Sequence, residues 1–324
     1  MKHYLLVLVA CLLAAFAQAQ NPNTKWGKPS QTEWSLQAWG EAPDAEAVVL
    51  NRTMNVTYQI SRQFAAFSDV NTELSIANLE HLGTTNDDSN ILVTYENKLR
   101  IKILKDSGAG YANIDIIYLN DEKDSKIYDE IEHLKVAVFS QNEKGKVKRT
   151  YVNNSTFTSD RVDAHYKVLH VRVPDVKQGD IIEYQYELTS ARAAFLYDCS
   201  FQEVIPVLYA KCDMDIPGFL QFDMKVPIHP FVKSSVTAGI IHPEQNMGDM
   251  QAPKSYPSNH YVIEGHDILP KGLDLLRNNP TVDAAKVSTE PGKVMKTMAT
   301  LKGQQVSMLA PLPDGKSHII INPK

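Results

Sequence analysis

The side chains best suited to nucleophilic chemistry are three cysteines, and Cys11 lies within an apolar N-terminal run. Cys199 and Cys212 remain, both in strand-like sequence, and neither opens a helix whose N-terminus would lower a thiol pKa. A structural role is therefore favoured over a catalytic one. Two alternatives stay open: a disulfide across a tight hairpin at Ile205 and Pro206, or two separate buried thiols.

A second group of chemically capable side chains consists of His260, Glu264 and His266. On a strand they would share one face, and imidazole and carboxylate groups can ligate zinc. However, Gly265 is predicted to break that strand, and a further ligand would have to come from elsewhere. We therefore expect surface histidines without a metal, and the sequence calls for no cofactor.

The whole-chain composition narrows the function classes. The 324 residues include 33 basic and 38 acidic side chains, giving a formal net charge of −5. This balance argues against a nucleic-acid binder, which normally carries a basic face. A hydrophobic content of 43% argues against a disordered chain. Phosphate-loop, nucleophile-elbow and zinc-finger motifs are absent from the sequence.

The first nineteen residues predict an export signal. A basic start at Lys2 precedes an apolar run over 4–16, and Ala17-Gln18-Ala19 matches a small-x-small cleavage site. The run is shorter than the about 20 residues that span a bilayer, and no later stretch predicts a membrane span. A lipobox at Leu8–Cys11 is the less favoured alternative. We expect an exported protein that is periplasmic, outer-membrane associated or extracellular.

Residues 20–44 predict a helical lead segment. Ser30 and Glu33 have the spacing of a capping box, so a helix of about two turns should start there and end before Pro43. The segment is rich in large apolar side chains, which should dock it on the main domain. These side chains are Trp26, Trp34, Leu36 and Trp39.

From 45 to 226 the sequence predicts many short strands separated by turn signals, which indicates an antiparallel β-sandwich. Asn142–Gly145 predicts a hairpin, and Gly179 predicts a tight turn. The acidic stretch 121–132 is interpreted as a solvated turn and short helix. Residues 227–324 carry eight prolines before position 292 and predict a less regular layer or tail.

Five fragments in order resemble the bacterial domain of unknown function that, in exported proteins, precedes a transglutaminase-like domain. The most specific is Val173–Tyr184, and the resemblance covers about residues 25–225. The other fragments are Trp26–Ser30 with Asp44–Leu50, Arg100–Leu104, Gly110–Ala112, and Phe201-Gln202 with Ile205–Val207 and Ile216-Pro217.

The resemblance implies a β-sandwich companion domain without known chemistry. Pro174 should end one strand, and Glu183 should either pair with a base such as Arg172 or face solvent. The motif residues that we interpret as structural are Arg100, Pro174, Gly179, Glu183, Tyr184, Gln202 and Pro206.

No cysteine follows Cys212, so the nucleophile of a transglutaminase-like domain is missing downstream. We therefore expect a non-catalytic module of a Gram-negative bacterium that binds a protein or glycan partner in the cell envelope. A sheet edge could accept a partner strand. The alternative is an accessory subunit of a separately encoded transglutaminase-like cysteine peptidase. The sequence leaves the oligomeric state open.

Overall fold

The computed structural model describes residues 22–61, 91–123, 125, 128–193, 195–220, 222–225, 232–243, 255–271, 286–291 and 319–321. The predicted export signal lies outside these residues. No helix in the described ranges is long and apolar enough to cross a membrane.

The described chain is mainly β, as predicted. One helix, α1 (Gln31–Ser35), and two 3₁₀ turns (Asp106–Ala112 and Asn154–Thr156) accompany fifteen described strands. The strands are β1 (Ala47–Ile60), β2 (Ile91–Ile103), β3 (Ile114–Leu119), β4 (Asp129–Gln141), β5 (Val147–Tyr151), β6 (Thr158–Arg161), β7 (Tyr166–Val171), β8 (Ile181–Ser190), β9 (Cys199–Ser200), β10 (Val207–Pro217), β11 (Phe222–Lys225), β12 (Val232–Ile241), β13 (Tyr256–Ile268), β14 (Lys286–Pro291) and β15 (Ile319–Ile321).

Eight of these strands form the main sheet, in the order β12-β13-β10-β1-β2-β8-β4-β5. A small sheet has the order β15-β3-β7-β6, and three strands form a third sheet, β11-β14-β9. Most neighbours are antiparallel, but β1 and β10 pair in parallel in the centre of the main sheet. The sandwich is therefore mixed at this one pairing, which sequence reading did not anticipate.

The core lies between the main sheet and the small sheet. Alternating residues of β1, such as Met54, Val56 and Tyr58, are buried in one cluster with Ile114 and Ile116 of β3. Such alternation is typical of strands that bury one face. Because both sheets contribute to one cluster, they pack face to face as a sandwich.

The lead segment covers the other face of the main sheet, as predicted. The Ser30 hydroxyl accepts from the Glu33 backbone N–H, and the Glu33 carboxylate accepts from the Ser30 backbone N–H, so the capping box is confirmed. Trp34 is buried against Val48, Phe139 and neighbouring side chains. The helix is shorter than expected, at five residues.

The main sheet continues past the boundary predicted at residue 226. Strands β12 and β13 lie in the region expected to be less regular, and β13 pairs with β10 from Ser258 to Ile268. Gly265 does not break β13, because its backbone pairs with Ala210. Only Pro257 of the prolines in this region falls within β12 or β13, so the proline content was a poor guide to where strands form.

The acidic stretch also differs from its prediction. Asp129 begins β4 and is buried, whereas a solvated turn and short helix were expected. By contrast, the hairpin at Asn142–Gly145 is confirmed by the antiparallel pairing of β4 with β5. The turn at Gly179 is also confirmed, because this glycine has a φ of 88°.

Candidate binding edge of the main sheet

The family-motif residue Glu183 lies at the centre of a buried ion network. Its Oε1 accepts from Arg100 Nε at 2.7 Å, and Arg100 Nη1 reaches Glu33 Oε1 at 2.6 Å. Glu183 therefore pairs with a base, which was one of the two expectations, but the base is Arg100, because Arg172 pairs with Asp115 at 2.7 Å. Burial raises the pKa of the Glu183 carboxyl, and the charge of Arg100 acts in the opposite direction.

The same network fixes the backbone of the lead segment. Arg100 donates to the carbonyl oxygens of Asn23 at 2.8 Å and Lys25 at 2.5 Å. Glu183 Oε2 accepts from the Gly27 backbone N–H at 2.7 Å. Every contact of this network joins parts of the fold, which supports the structural interpretation of Arg100 and Glu183.

The other motif residues also make internal contacts. Gln202 Nε2 donates to the Leu269 carbonyl at 3.0 Å, and the Pro206 carbonyl accepts from Val49 N at 2.9 Å. The Tyr184 hydroxyl donates to the carbonyl of Ala112. Pro174 follows the end of β7, as expected. The contacts of Gln202, Pro206 and Tyr184 therefore join neighbouring parts of the fold.

Cys199 and Cys212 are both free and buried in the structure. Of the two alternatives, the structure therefore agrees with two separate buried thiols: Cys199 pairs with Val287 of β14, while Cys212 lies between Met54 and Ile263. Interaction with the Cys199 thiol, together with burial, raises the pKa of the Cys212 thiol. A raised thiol pKa is the opposite of what a nucleophile needs.

Sequence reasoning missed Asp129, the most enclosed carboxylate of β4. It accepts from the Tyr197 hydroxyl and from the Leu119 backbone N–H at 2.8 Å. Burial raises the pKa of the Asp129 carboxyl, and the charge of Arg192 opposes this effect. No sequence signal could reveal this site, because its partners lie up to 68 residues away.

The predicted zinc candidates lie on β13, next to the end of the main sheet. His260 contacts Asp215 at 3.0 Å, and the Tyr209 hydroxyl donates to Glu264 at 3.0 Å. The ring of His266 lies 5.0 Å from that of Tyr209. Glu264 and His266 therefore share Tyr209 as a neighbour, whereas His260 pairs with Asp215. Within the described ranges no group of three potential ligands could hold a metal.

Beyond β13, strand β12 forms one end of the main sheet. It has ten residues, longer than the about five to six that are usual, and no described strand pairs with its outer side. Val236 and Ile240 are 58% and 64% exposed, although they lie on the side of the sheet that carries the core. We call the outer side of β12, with these two side chains, the open edge.

The opposite end of the main sheet is built differently. Strand β5 has five residues, including Lys148 and Arg149, and the Arg149 guanidinium lies 5.2 Å from the ring of Tyr151. Short, charged edge strands discourage pairing with another chain. β12 contains one charge, Lys233, and no proline. Of the two ends, β12 is therefore the better surface for adding a strand.

Comparisons with known proteins agree with the predicted resemblance. Residues 89–242 match the model of the family DUF3857, described as a domain of unknown function with a solved structure. The match confirms the resemblance over these residues and extends it through β12. No curated protein matches the chain.

One similar solved structure is a protein from Parabacteroides distasonis ATCC 8503 that is described as a candidate protease. It is 11% identical, with a TM-score of 0.47, over 76% of this chain and 41% of the other. The present chain therefore spans about two fifths of the length of that protein.

Proposed function

We propose that this chain, whose residues 89–242 match DUF3857, is an exported, non-catalytic module that binds an extended segment of a protein partner in the cell envelope. The observation that carries this proposal is the open edge of the main sheet. The predicted N-terminal signal supports the envelope location.

The backbone of β12 supplies the affinity in this proposal. Its inner side pairs with β13 from Val232 to Ile241, which leaves a row of peptide groups directed outward. Within the described part of the chain, no residue pairs with that row. An extended partner segment would satisfy these donors and acceptors by continuing the sheet.

The side chains of the open edge define the partner. Val236 and Ile240 stand four residues apart on the core side, so a bound segment should place apolar residues on that side and polar residues on the other. The half-buried Tyr261 lies beside Val236 on β13 and enlarges this apolar surface. A segment with alternating apolar residues therefore fits best.

The burial of the two cysteine thiols supports the proposal that the module is non-catalytic. Cys199 is 3% exposed and Cys212 is fully buried, so neither can reach a substrate without local unfolding. The described polar clusters around Arg100 and Asp129 are likewise buried, and their contacts join parts of the fold.

Photo-crosslinking tests the proposal directly. A photoreactive residue at the exposed Ala238 of β12 should label one partner segment in envelope extract, and sequencing should show apolar residues at alternate positions. Hydrogen exchange with that segment as a synthetic peptide should then protect amides of β12. Labelling of equal strength from Thr150 on β5, or protection away from β12, would contradict the proposal.

The matched variants introduce lysine at one end of the main sheet or at the other. The double change Val236→Lys and Ile240→Lys should abolish the crosslink, because charged side chains protect an edge from strand addition. Val147→Lys on β5 should have no effect, although Val147 is also an exposed edge valine. Retention of the crosslink in the β12 variant would rule out the open edge as the binding site.

A further inference from the structure

A bulge in β4 lies at the opposite end of the main sheet from the open edge. The pairing of β4 with β8 shifts register between Glu132 and Lys135. Within the bulge, His133 has a φ of 54°, in the left-handed region that non-glycine residues rarely occupy. Bulges of this kind redirect side chains and are frequent beside functional sites.

The bulge opens onto a cleft with a volume of about 470 Å³. Ligand pockets are typically about 300–1,000 Å³, so the cleft has the size of a small-molecule site. Its walls come from β4, the small sheet and the second 3₁₀ turn. The lining side chains are Tyr118, Ile131, His133, Leu134, Asn154, Phe157 and Leu169.

Hydrogen bonds fix the walls of the cleft. Asn154 Nδ2 donates to the Leu134 carbonyl at 2.8 Å, which ties the 3₁₀ turn to the bulge. The hydroxyls of Tyr118 and Ser159 form a hydrogen bond of 2.8 Å on the small sheet. The site is therefore formed before any ligand binds, which reduces the entropy cost of binding.

The lining combines apolar surfaces with the polar groups of Tyr118, His133 and Asn154. Phe157 and Leu169 are half-buried against the core, so each presents part of its surface to the cleft. When one hydroxyl of the Tyr118–Ser159 pair donates to the other, the accepting hydroxyl keeps its own hydrogen for a ligand. Among the described residues that line the cleft there is no aspartate, glutamate, lysine or arginine, so the imidazole of His133 is the one side chain there that could compensate an anionic ligand.

We propose that this cleft binds a neutral sugar residue. A sugar ring has an apolar face that could pack on Phe157 and Tyr118, and hydroxyls that both donate and accept hydrogen bonds. This chemistry matches the cleft lining better than an ion or a hydrocarbon chain, because an ion would meet no carboxylate, lysine or arginine among the described lining residues, and a hydrocarbon would leave the polar groups unpaired. The inference concerns a second site and does not depend on the open edge.

Saturation-transfer NMR on the whole chain tests this site with defined probes. The neutral sugars are glucose, galactose, mannose and N-acetylglucosamine, the charged probes are glucuronic acid and glucosamine, and the apolar probe is hexanol. At least one neutral sugar should receive saturation, and the charged probes should receive little. Binding of hexanol alone, or of no probe, would overturn the proposal.

Variants assign the binding to the cleft. Phe157→Ala should weaken the bound sugar about tenfold by removing the ring surface. Tyr118→Phe keeps a ring but loses the hydroxyl and should weaken binding about threefold. The matched control is Tyr151→Ala, which removes an exposed ring from β5 and should leave binding unchanged.

Two measurements separate a loss of sugar binding from a loss of folding. Tyr118→Phe should retain the thermal midpoint closely enough that its binding can be interpreted even where Phe157→Ala unfolds. The β12 double-lysine variant should bind the sugar normally, so failure at one site is distinguishable from failure at the other. Unchanged sugar binding in Tyr118→Phe and in folded Phe157→Ala would exclude the cleft.

Discussion

The main sheet contains two regions with similar residue types and opposite surroundings. At its middle, Arg100 and Glu183 are covered by the lead segment, and Arg100 bonds to two carboxylates and two backbone carbonyls. Toward the open edge, His260 pairs with Asp215 while both remain a third or more exposed. Val236 and Ile240 are left without cover beside them.

This difference shows that burial under the lead segment determines whether a polar residue of the sheet stabilises the fold. Under the lead segment, desolvation makes each ion depend on its partner, so the residues stabilise the fold. Near the open edge, water screens the pairs, and they contribute little. A binding function is therefore better assigned to the uncovered open edge than to the buried charges under the lead segment.

The largest expected effect is a difference between the two regions in how much a substitution lowers the free energy of unfolding. Arg100→Ala leaves Glu183 and Glu33 buried without their cation and should lower the free energy of unfolding by about 3–5 kcal/mol. Asp215→Asn beside His260 should lower it by less than about 1 kcal/mol. Urea unfolding of both variants measures the difference. Losses of similar size would show that coverage by the lead segment does not distinguish the regions.

A smaller effect concerns a buried lysine in the covered middle. Lys102 donates to the Trp34 carbonyl at 2.9 Å, and burial lowers its pKa to about 8, opposed by the charges of Glu33 and Asp180. The unfolded pKa is about 10.4. Between these values the unfolded state binds more protons, so the free energy of unfolding rises with pH.

The free energy of unfolding is expected to rise by on the order of 1–3 kcal/mol from pH 8 to above pH 10. This contribution is lost again as the pH falls through the folded pKa. Lys102→Met should lack the rise, and so should Lys102→Arg, which stays charged throughout the range. Urea midpoints at pH 7 and pH 10 measure it. A rise in Lys102→Met equal to that of the wild type would assign the effect to other groups.

The smallest expected effect sharpens the description of the open edge. Val236→Lys combined with Ile240→Lys should change the free energy of unfolding by no more than about 0.5 kcal/mol per site, because both side chains are mostly exposed. Thermal unfolding without a partner measures this. A loss of several kcal/mol would show that the two side chains contribute to the core and are not free for a partner.

Local signals in the sequence predicted local features well. The capping box at Ser30 and the hairpin at Asn142–Gly145 depend on residues within five positions of each other, and both are observed. The Gly179 turn follows from one residue that tolerates a positive φ. Docking of the lead segment followed from its tryptophans, since so much apolar surface must be buried.

Features that depend on contacts between residues far apart in the chain could not be predicted from the sequence. Arg100 and Glu183 meet because β2 and β8 pair in one particular register, across 83 positions. The bulge at His133 carries no glycine or other turn residue to mark it. Both candidate binding sites depend on such features: the cleft on the bulge, and the open edge on β12 belonging to the main sheet.

The parallel pairing of β1 with β10 has a consequence for how the chain matures. Ile60 ends β1, and Val207 of β10 follows about 150 residues later, so the centre of the sheet closes only after most of the chain has been synthesised. Until then, β1 exposes one of its sides to other chains. If the chain is exported through a narrow channel, the sheet is completed after passage, and a holding factor during transit would protect its central strand.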